Sequence, residues 1–537
     1  MGKTKTTIRK KNLWRSIITG ILGLLALMGL LNCVGCQAFR TIPQTGQQKR
    51  EDMKSELAAL IDEFRTSVPK LMKKAMIPGV AIALFDRKGI IWTEGFGTTD
   101  LKRKIPVTPD TLFHIGSISK TFTATAVLLA VQDGLLDLDE PVTTYLPNFK
   151  VYSRYEANPE QKITLRHLLS HCAGIPHETS GCNMLEVTDS FEDRVRSLYG
   201  TWLKCPVGQG YSYSGAGYDL AAYVLQTVSG IPFQQYMTER VFQSFGLFQS
   251  TIDHNDIHDS ANLAIGHTIG IAENPPAHGM LGAGGIWMSA SDLAQFTRLL
   301  MNRGTFEGKH LLDESLIDAM LTPHAVAYEE DQWLYGLGIM LGKKQIGKRD
   351  VHILQHGGGG GGYQTLYEYY PEYGIGAVVL TNRVPHSVLS DLIIGRRLLE
   401  EGVLENRYPA PAWDIQQCTL KWTGWADHTP SAYKSEWKKY CGRYKCRFSG
   451  YKIKWWAKLA LALDLDKYTP RIKVFEKKGY LCLTESKLLQ SMNHYPYLQV
   501  DEKLEEVEPG LFFTASGSAL DLRGEIPTWR NYRLKKR

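Results

Sequence analysis

The chain has 537 residues, a formal net charge of +7 and an apolar fraction of 43%. This length exceeds what one ordinary hydrophobic core supports, so two or more domains are expected. Six basic residues and no acidic residue fall within the first fifteen positions, and the rest of the chain carries about +1 of the total charge. The excess charge therefore belongs to the amino-terminal segment, and the composition gives no support to nucleic-acid binding.

The amino-terminal segment predicts export. An apolar run at residues 17–31 follows the basic stretch, as in a signal peptide or membrane anchor. No charge occurs between this run and Arg40, so a spanning helix of about 20 residues also fits. Cys36, which follows Val34 and Gly35, resembles the lipidated residue of a bacterial lipoprotein cleavage site. A lipid anchor, an uncleaved signal anchor and simple secretion stay open, and all three place the following domain outside the cytoplasm.

Periodic patterns predict the next elements. Residues 82–85 and 90–93 form strand-like runs on either side of a turn at 86–89, which predicts a β-hairpin. Before it, residues 51–75 have helical periodicity. The predicted buried stripe of this helix is Leu57, Leu60, Ile61, Phe64 and Leu71.

Ser117 and Lys120 form an S-x-x-K tetrad at the start of a predicted helix. A lysine three residues after a serine lies on the same helix face, one turn away, where it can take the hydroxyl proton. The exposed N–H groups of a helix N-terminus also favour a developing oxyanion. The tetrad therefore places a candidate nucleophile, its base and an oxyanion site on one element.

Residues 119–247 are rich in helical sequence, and strand signals return at 338–341, 365–370 and 375–380. Strands at both ends of this region, with helices between them, indicate one antiparallel sheet that distant segments complete. We therefore expect an α+β domain, with an antiparallel sheet flanked by helices and an inserted helical subdomain.

Several blocks of this region, in order, resemble the serine β-lactamase and penicillin-binding-protein superfamily. Within it, the similarity is to class C β-lactamases, family VIII-type serine esterases and D-alanyl-D-alanine carboxypeptidases. The blocks are residues 77–84, 94–97, 106–113, 163–171 and 281–287. The resemblance covers about residues 53–382 and implies an active site between the sheet and the helical part, with Ser117 as nucleophile.

The resemblance gives a role to residues 211–218. Tyr213 matches the tyrosine of the family's Y-x-N motif, which implies a second candidate base that works with Lys120. Either Lys120 or Tyr213 can take the first proton. Gly215 stands where the motif has asparagine, whose amide normally helps to hold the substrate carbonyl. Loss of that amide favours ester substrates over β-lactams or peptides.

A glycine run at residues 357–362 follows His356 and resembles the family's third motif. The resemblance implies a sheet edge where Gly357 and Gly358 let the substrate approach the backbone. The amides of Gly359 and Ser117 would form the oxyanion hole. His356 would contribute a charge that titrates near neutrality. A flexible loop is the alternative reading of the same glycines.

Composition changes after residue 406, where tryptophans crowd the tail, and this indicates a small β-rich C-terminal domain. The predicted organisation places a signal peptide or anchor at 1–36 and a linker at 37–50. A β-lactamase-related serine hydrolase domain follows at 51–405. A second linker at 406–412 precedes the accessory domain at 413–537.

Other functions fit less well. His167 and His171 have the spacing of a zinc helix, but the glutamate of a metalloprotease is missing between them. The chain also lacks the G-x-S-x-G elbow of an α/β-hydrolase. No metal or organic cofactor is expected. We expect a membrane-tethered serine hydrolase that forms an acyl-enzyme with a small-molecule or peptide acyl substrate. D-alanyl-D-alanine carboxypeptidase and β-lactamase activities are alternatives, as is a catalytically silent envelope scaffold.

Overall fold

The computed structural model describes residues 46–102, 104–177, 190–268, 271–272, 280–328, 333–383, 392–404, 408–411, 430–446, 471–485, 502–514, 518–523, 528–529 and 532–536. The predicted anchor segment and Cys36 lie outside this set. Within the set, no helix is both long and apolar enough to cross a membrane. Residues 46–60 belong to a separate compact unit, and the description below concerns residues 61–537.

The first elements are α1 (Gly46–Ala75), β1 (Gly79–Asp86), β2 (Ile90–Gly97), β3 (Phe113–His114), a 3₁₀ turn (Gly116–Ile118), α2 (Ser119–Gln132), α3 (Val142–Tyr145), a 3₁₀ turn (Pro159–Gln161), α4 (Leu165–Leu169), α5 (Phe191–Arg196), α6 (Gly215–Ser229), α7 (Phe233–Tyr236) and a π-helical turn (Met237–Gln243). The central elements are β4 (Ser250–Thr251), α8 (His254–Asp259), β5 (His267–Thr268), β6 (Ile271–Ala272), α9 (Leu281–Gly284), β7 (Trp287–Met288), α10 (Ala290–Met301), β8 (Thr305–Phe306), β9 (Lys309–His310) and α11 (Glu314–Leu321).

The later strands of this region are β10 (Ala325–Tyr328), β11 (Trp333–Tyr335), β12 (Met340–Ile346), β13 (Arg349–Gly360), β14 (Tyr363–Tyr370) and β15 (Ile375–Thr381), followed by α12 (Ile394–Glu400). The C-terminal elements are a 3₁₀ turn (Ser435–Lys439), β16 (Gly442–Cys446), β17 (Arg471–Lys477), β18 (Tyr480–Glu485), β19 (Glu502–Glu508), β20 (Leu511–Thr514), β21 (Ala519–Asp521), β22 (Thr528–Trp529) and β23 (Tyr532–Lys536).

The main sheet has eight antiparallel strands in the order β10-β11-β12-β13-β14-β15-β1-β2. Strand β1 pairs with β15 from Val80–Thr381 to Asp86–Ile375, so the two ends of the region complete one sheet. The Gly79 N–H donates to Asn382 Oδ1 at 2.7 Å and fixes this register. The predicted antiparallel sheet is therefore confirmed, together with the hairpin of β1 and β2.

Helix α2 is the centre of the domain, and residues 119–130 of it are all buried. A helix that is buried all round packs between layers instead of covering one surface. Thr121 Oγ1 donates to the carbonyl of Gly338 beside β12, at 2.7 Å, and Thr123 Oγ1 donates to the carbonyl of Gly282 in α9, at 2.6 Å. The N-terminus of α2 is thereby held between the sheet and the helical part.

Two sequence predictions need adjustment. The first helix begins at Gly46, and beyond residue 60 its buried residues are Phe64, Val68 and Met72, at i, i+4 spacing. Ile61 and Leu71 are only half-buried. Strands β10 and β11 were not predicted, because each is short and takes its strand form from pairing with neighbours. Of β13, only the glycine-rich end was expected, as the sheet edge that the family motif implies.

The C-terminal region is β-rich, as predicted: strands β16 to β23 close into an antiparallel barrel. Its interior is filled by Trp437, Tyr444, Ile472, Val474, Leu481, Leu483, Leu504, Phe512 and Leu520. The barrel contacts the helical part through an ion pair between Arg154 and Glu505, at 3.0 Å, and through the rings of Trp202 and Phe513. The domain boundaries given above remain predictions.

Candidate active site

Ser117 lies on the 3₁₀ turn that leads into α2 and is half-buried. Lys120 is on the first turn of α2, where its side chain is 1% exposed. The Lys120 Nζ donates to Ser117 Oγ at 3.1 Å, as the three-residue spacing predicts. A buried lysine within hydrogen-bond distance of a serine hydroxyl is one arrangement that activates a serine nucleophile.

Lys120 is held by a second contact that the sequence did not predict. Its Nζ donates to the Ala283 carbonyl of α9 at 2.9 Å. The Ala283 N–H in turn donates to Oδ1 of Asp219, at 3.1 Å, and Asp219 is fully buried on α6. A buried carboxylate costs free energy unless it is hydrogen-bonded. An aspartate in an otherwise apolar helix was therefore the one sequence signal that could have pointed to this contact.

Tyr213 lies beside the same amino group of Lys120. The Lys120 Nζ is 4.9 Å from the centre of the Tyr213 ring and 5.7 Å from that of the buried Tyr218. The structure therefore brings Ser117, Lys120 and Tyr213 together, with Lys120 in the middle. Its direct contact with Ser117 favours Lys120 as the group that takes the first proton, and the assignment remains a prediction.

The glycine run forms the end of strand β13 and runs next to Ser117. Residues 357–360 pair with β14, so the flexible-loop alternative is wrong for these glycines. Strand β13 is interior to the sheet, not an outer strand as the family motif implied. Its pairing with β12 ends at Met340–Gln355, however. Residues 356–360 extend beyond that pair, so the expected edge exists only locally.

Glycine is required at two positions where β13 meets the Ser117 turn. Gly116 has φ +53°, and a Cβ there would lie 2.7 Å from the Gly359 nitrogen. A Cβ on Gly358 would lie 1.8 Å from the Ile115 carbonyl oxygen. These approaches put the Gly359 amide beside the Ser117 turn, in keeping with the predicted oxyanion hole. By contrast, the closest atom to a Cβ on Gly357 or Gly359 is at 3.7 Å.

His356 is not the titrating group that the sequence predicted. Burial, and then the charge of Lys120, lower the pKa of His356 to about 3. The Nδ1–H donates to the Gly357 carbonyl at 2.7 Å, because a carbonyl can only accept. The Nε2 therefore accepts from the Tyr335 hydroxyl at 2.9 Å. The expectation of a charge near neutrality is wrong, since the ring is 1% exposed and lies near a cation.

Gly215 begins α6, and other side chains fill the space where its side chain would be. A Cβ at this position would lie 2.3 Å from Met280 Cε and 3.2 Å from two ring atoms of His177. The Gly215 N–H donates to His177 Nδ1 at 3.0 Å. His177 was not predicted as a site residue, because it is 38 residues from Gly215 and belongs to no motif.

A serine at a helix start that contacts a buried lysine, with a strand backbone alongside and an antiparallel sheet behind it, defines the serine hydrolase class of β-lactamases and penicillin-binding proteins. The model of the family described as Beta-lactamase matches residues 64–398, more than half of the chain. The chain belongs to this family, and the resemblance read from the sequence is confirmed.

Among curated sequences, the chain is similar to the putative penicillin-binding protein PbpX of Bacillus subtilis strain 168. The two are 28% identical over 301 residues, which is 54% of this chain and 69% of PbpX. Further relatives, from Staphylococcus aureus, are 25% identical over 336 residues. The chain spans only 62% of the length of those relatives, less than two thirds.

Two solved structures show the fold. An octameric penicillin-binding protein homologue from Pyrococcus abyssi matches with a TM-score of 0.57 at 20% identity, over 88% of this chain and 99% of that one. The hydrolase EstCE1, described as having promiscuous acyltransferase activity, matches with a TM-score of 0.54 at 22% identity, over 64% of this chain and 99% of that one. The match to the Pyrococcus abyssi protein covers more of this chain than residues 64–398, which the family model matches. The match to EstCE1 covers a smaller share of the chain.

The close approach of Gly358 to Ile115 gives a test of the site. Gly358→Ala should push β13 away from the Ser117 turn and remove one oxyanion donor, a loss of about 10²–10³-fold in rate elsewhere. The measurement is the second-order rate constant for labelling by a fluorophosphonate. The control Gly89→Ala adds the same methyl group in the β1–β2 turn, where no atom of the described residues beyond its chain neighbours lies within 4 Å of a Cβ, and should stay close to wild type. Equal rates for the two variants would contradict the predicted geometry.

Proposed function

We propose that this protein is an extracytoplasmic, membrane-tethered serine hydrolase that cleaves acyl substrates through an acyl-enzyme, and that esters are its preferred substrates. The observation that carries the proposal is the 3.1 Å contact between Lys120 Nζ and Ser117 Oγ, made by a lysine that is 1% exposed. Such a contact is what a serine needs to lose its proton as it attacks a carbonyl carbon.

The reaction would run in two halves. Ser117 Oγ attacks the acyl carbon while its proton passes to Lys120, directly or through Tyr213. The amides of Ser117 and Gly359 hold the negative oxygen of the tetrahedral intermediate. Its collapse breaks the bond to the leaving group, which takes the proton. Water then attacks the acyl-enzyme, and the same groups return the proton to Ser117.

The preference for esters follows from residue 215. Glycine supplies no side-chain amide at this position, and Met280 and His177 occupy the space where a side chain would lie. A lost hydrogen bond to a polar substrate group costs about 1–3 kcal/mol, or roughly ten- to a hundredfold in rate. Esters have better leaving groups than peptides and tolerate this loss more easily. The hydrolase EstCE1 shares the fold.

The test of substrate class compares kcat/KM for a short-chain aryl ester, a chromogenic cephalosporin and a D-alanyl-D-alanine peptide. We expect the ester to exceed the other two by at least about tenfold, from the hydrogen bond that Gly215 cannot make. The blank is Ser117→Ala. A preference for the cephalosporin or the peptide would favour the β-lactamase or carboxypeptidase alternative. Turnover of none of the three, with no covalent labelling, would favour the silent scaffold.

The location rests on the amino-terminal sequence, with its basic stretch, its apolar run at residues 17–31 and Cys36. These features support a lipid anchor at Cys36 or an uncleaved signal anchor. Intact mass measured on protein extracted from membranes distinguishes them. A lipid anchor predicts a chain that begins at Cys36, with processing abolished by Cys36→Ser. A chain that starts at Met1 in both forms would establish the signal anchor, and a product found only in the medium would contradict tethering.

A further inference from the structure

Two loop segments are joined by hydrogen bonds around Tyr213. The first is residues 171–177 and the second is residues 212–216, which lead into α6. The backbone N–H of Ser212 donates to the His171 carbonyl at 2.8 Å, and that of Ala216 donates to the His177 carbonyl at 3.0 Å. Between these two bonds, Ser214 Oγ donates to the Pro176 carbonyl at 2.7 Å.

The two histidines that end the first segment bind consecutive backbone amides of the second. The Ser214 N–H donates to His171 Nδ1 at 2.9 Å, and the Gly215 N–H donates to His177 Nδ1 at 3.0 Å. A ring nitrogen that accepts a hydrogen bond carries no proton. Both rings are therefore held with Nδ1 unprotonated, and they flank the amide bonds that follow Tyr213.

The Tyr213 ring packs between the same two histidine rings. Its centre is 4.3 Å from that of His171 and 5.3 Å from that of His177. Lys120 Nζ lies 4.9 Å from the Tyr213 ring centre. The tyrosine is thus fixed through its backbone neighbours and through its ring, against the Lys120 amino group that contacts Ser117.

The backbone at His171 carries strain that this arrangement accounts for. His171 has φ +63°, a left-handed conformation uncommon for residues other than glycine. Its Nε2 is buried, with no hydrogen-bond partner among the described residues. Strain and an unpaired buried polar group are both unfavourable, and they persist where a site requires the geometry.

We propose that His171 and His177 are positioning residues that clamp residues 213–215 and hold Tyr213 against Lys120. The proposal rests on the hydrolase function proposed above, in which Tyr213 moves protons. The clamp acts through Nδ1 of each ring. It also accounts for glycine at 215, since a side chain there would meet the ring of His177.

His177 is the residue to vary, because it is only half-buried whereas His171 is 1% exposed. Asparagine places its amide oxygen near the position of Nδ1, whereas glutamine places its amide one bond further, near Nε2. His177→Ala and His177→Gln should lower kcat for an aryl ester by about ten- to a hundredfold with KM little changed, as expected for a lost hydrogen bond that orients a catalytic group. His177→Asn should restore most of the loss.

The control is His310→Ala, which removes an exposed histidine of β9 and should leave both constants unchanged. Retained activity in His177→Gln with loss in His177→Asn would overturn the clamp, because the ring would then act through Nε2. Wild-type kinetics in His177→Ala would overturn it as well.

A second readout does not depend on catalysis. With 3-fluorotyrosine incorporated at residue 213, the ¹⁹F signal of the full-length protein should be a single line in wild type and in His177→Asn. It should shift or split in His177→Ala and His177→Gln. Identical spectra in all four proteins would overturn the clamp. If the ¹⁹F signal changes as expected but the wild-type protein shows neither hydrolysis nor covalent labelling, the clamp is supported and the proposed hydrolase function is refuted. Failure of the clamp and failure of the proposed function therefore give different results.

Discussion

The buried amino group of Lys120 is the group on which the rest of the site depends. It donates to Ser117 Oγ and to the Ala283 carbonyl, and it lies against the ring of Tyr213. A buried amino group is costly unless polar groups surround it. Three distant segments supply them: the start of α2, the α9 turn that Asp219 holds, and the loop before α6. The fold around α2 can therefore be understood as the means of bringing these segments to one lysine.

Burial, more than the neighbouring lysine, determines the state of the histidines around Lys120. Burial, and then the charge of Lys120, lower the pKa values of His356 and of His171, to about 3 for His356 and well below the ordinary value for His171. Each ring then acts as a neutral hydrogen-bonding group with one fixed tautomer. His356 links the Tyr335 hydroxyl to the glycine strand, and His171 binds the backbone beside Tyr213. Neutral histidines leave Lys120 as the residue that exchanges a proton with Ser117 in the proposed reaction, and its amine must be uncharged when it accepts that proton.

Local patterns in the sequence predicted what depends on local geometry. The S-x-x-K spacing predicted the contact between Ser117 and Lys120, because residues three apart share a helix face. The two strand-like runs on either side of a turn predicted the hairpin of β1 and β2. The roles of Asp219, His177 and Tyr335 were missed because each acts on a residue that is distant in the chain. The contact between Lys120 and Ala283, which are 163 residues apart, was missed for the same reason. The charge of His356 was predicted wrongly because a motif does not reveal burial. The glycine run became a strand because β14 pairs with it.

The central claim is that Ser117 is a nucleophile activated by Lys120. The neighbouring Ser119 is the natural rival, but it is fully buried and its Oγ accepts from the Ile286 N–H at 3.1 Å. The most direct measurement is peptide mapping by tandem mass spectrometry after reaction with a fluorophosphonate. The account predicts one adduct, on Ser117, that persists in Ser119→Ala and disappears in Ser117→Ala. An adduct on Ser119, or no adduct on a folded wild-type chain, would contradict it.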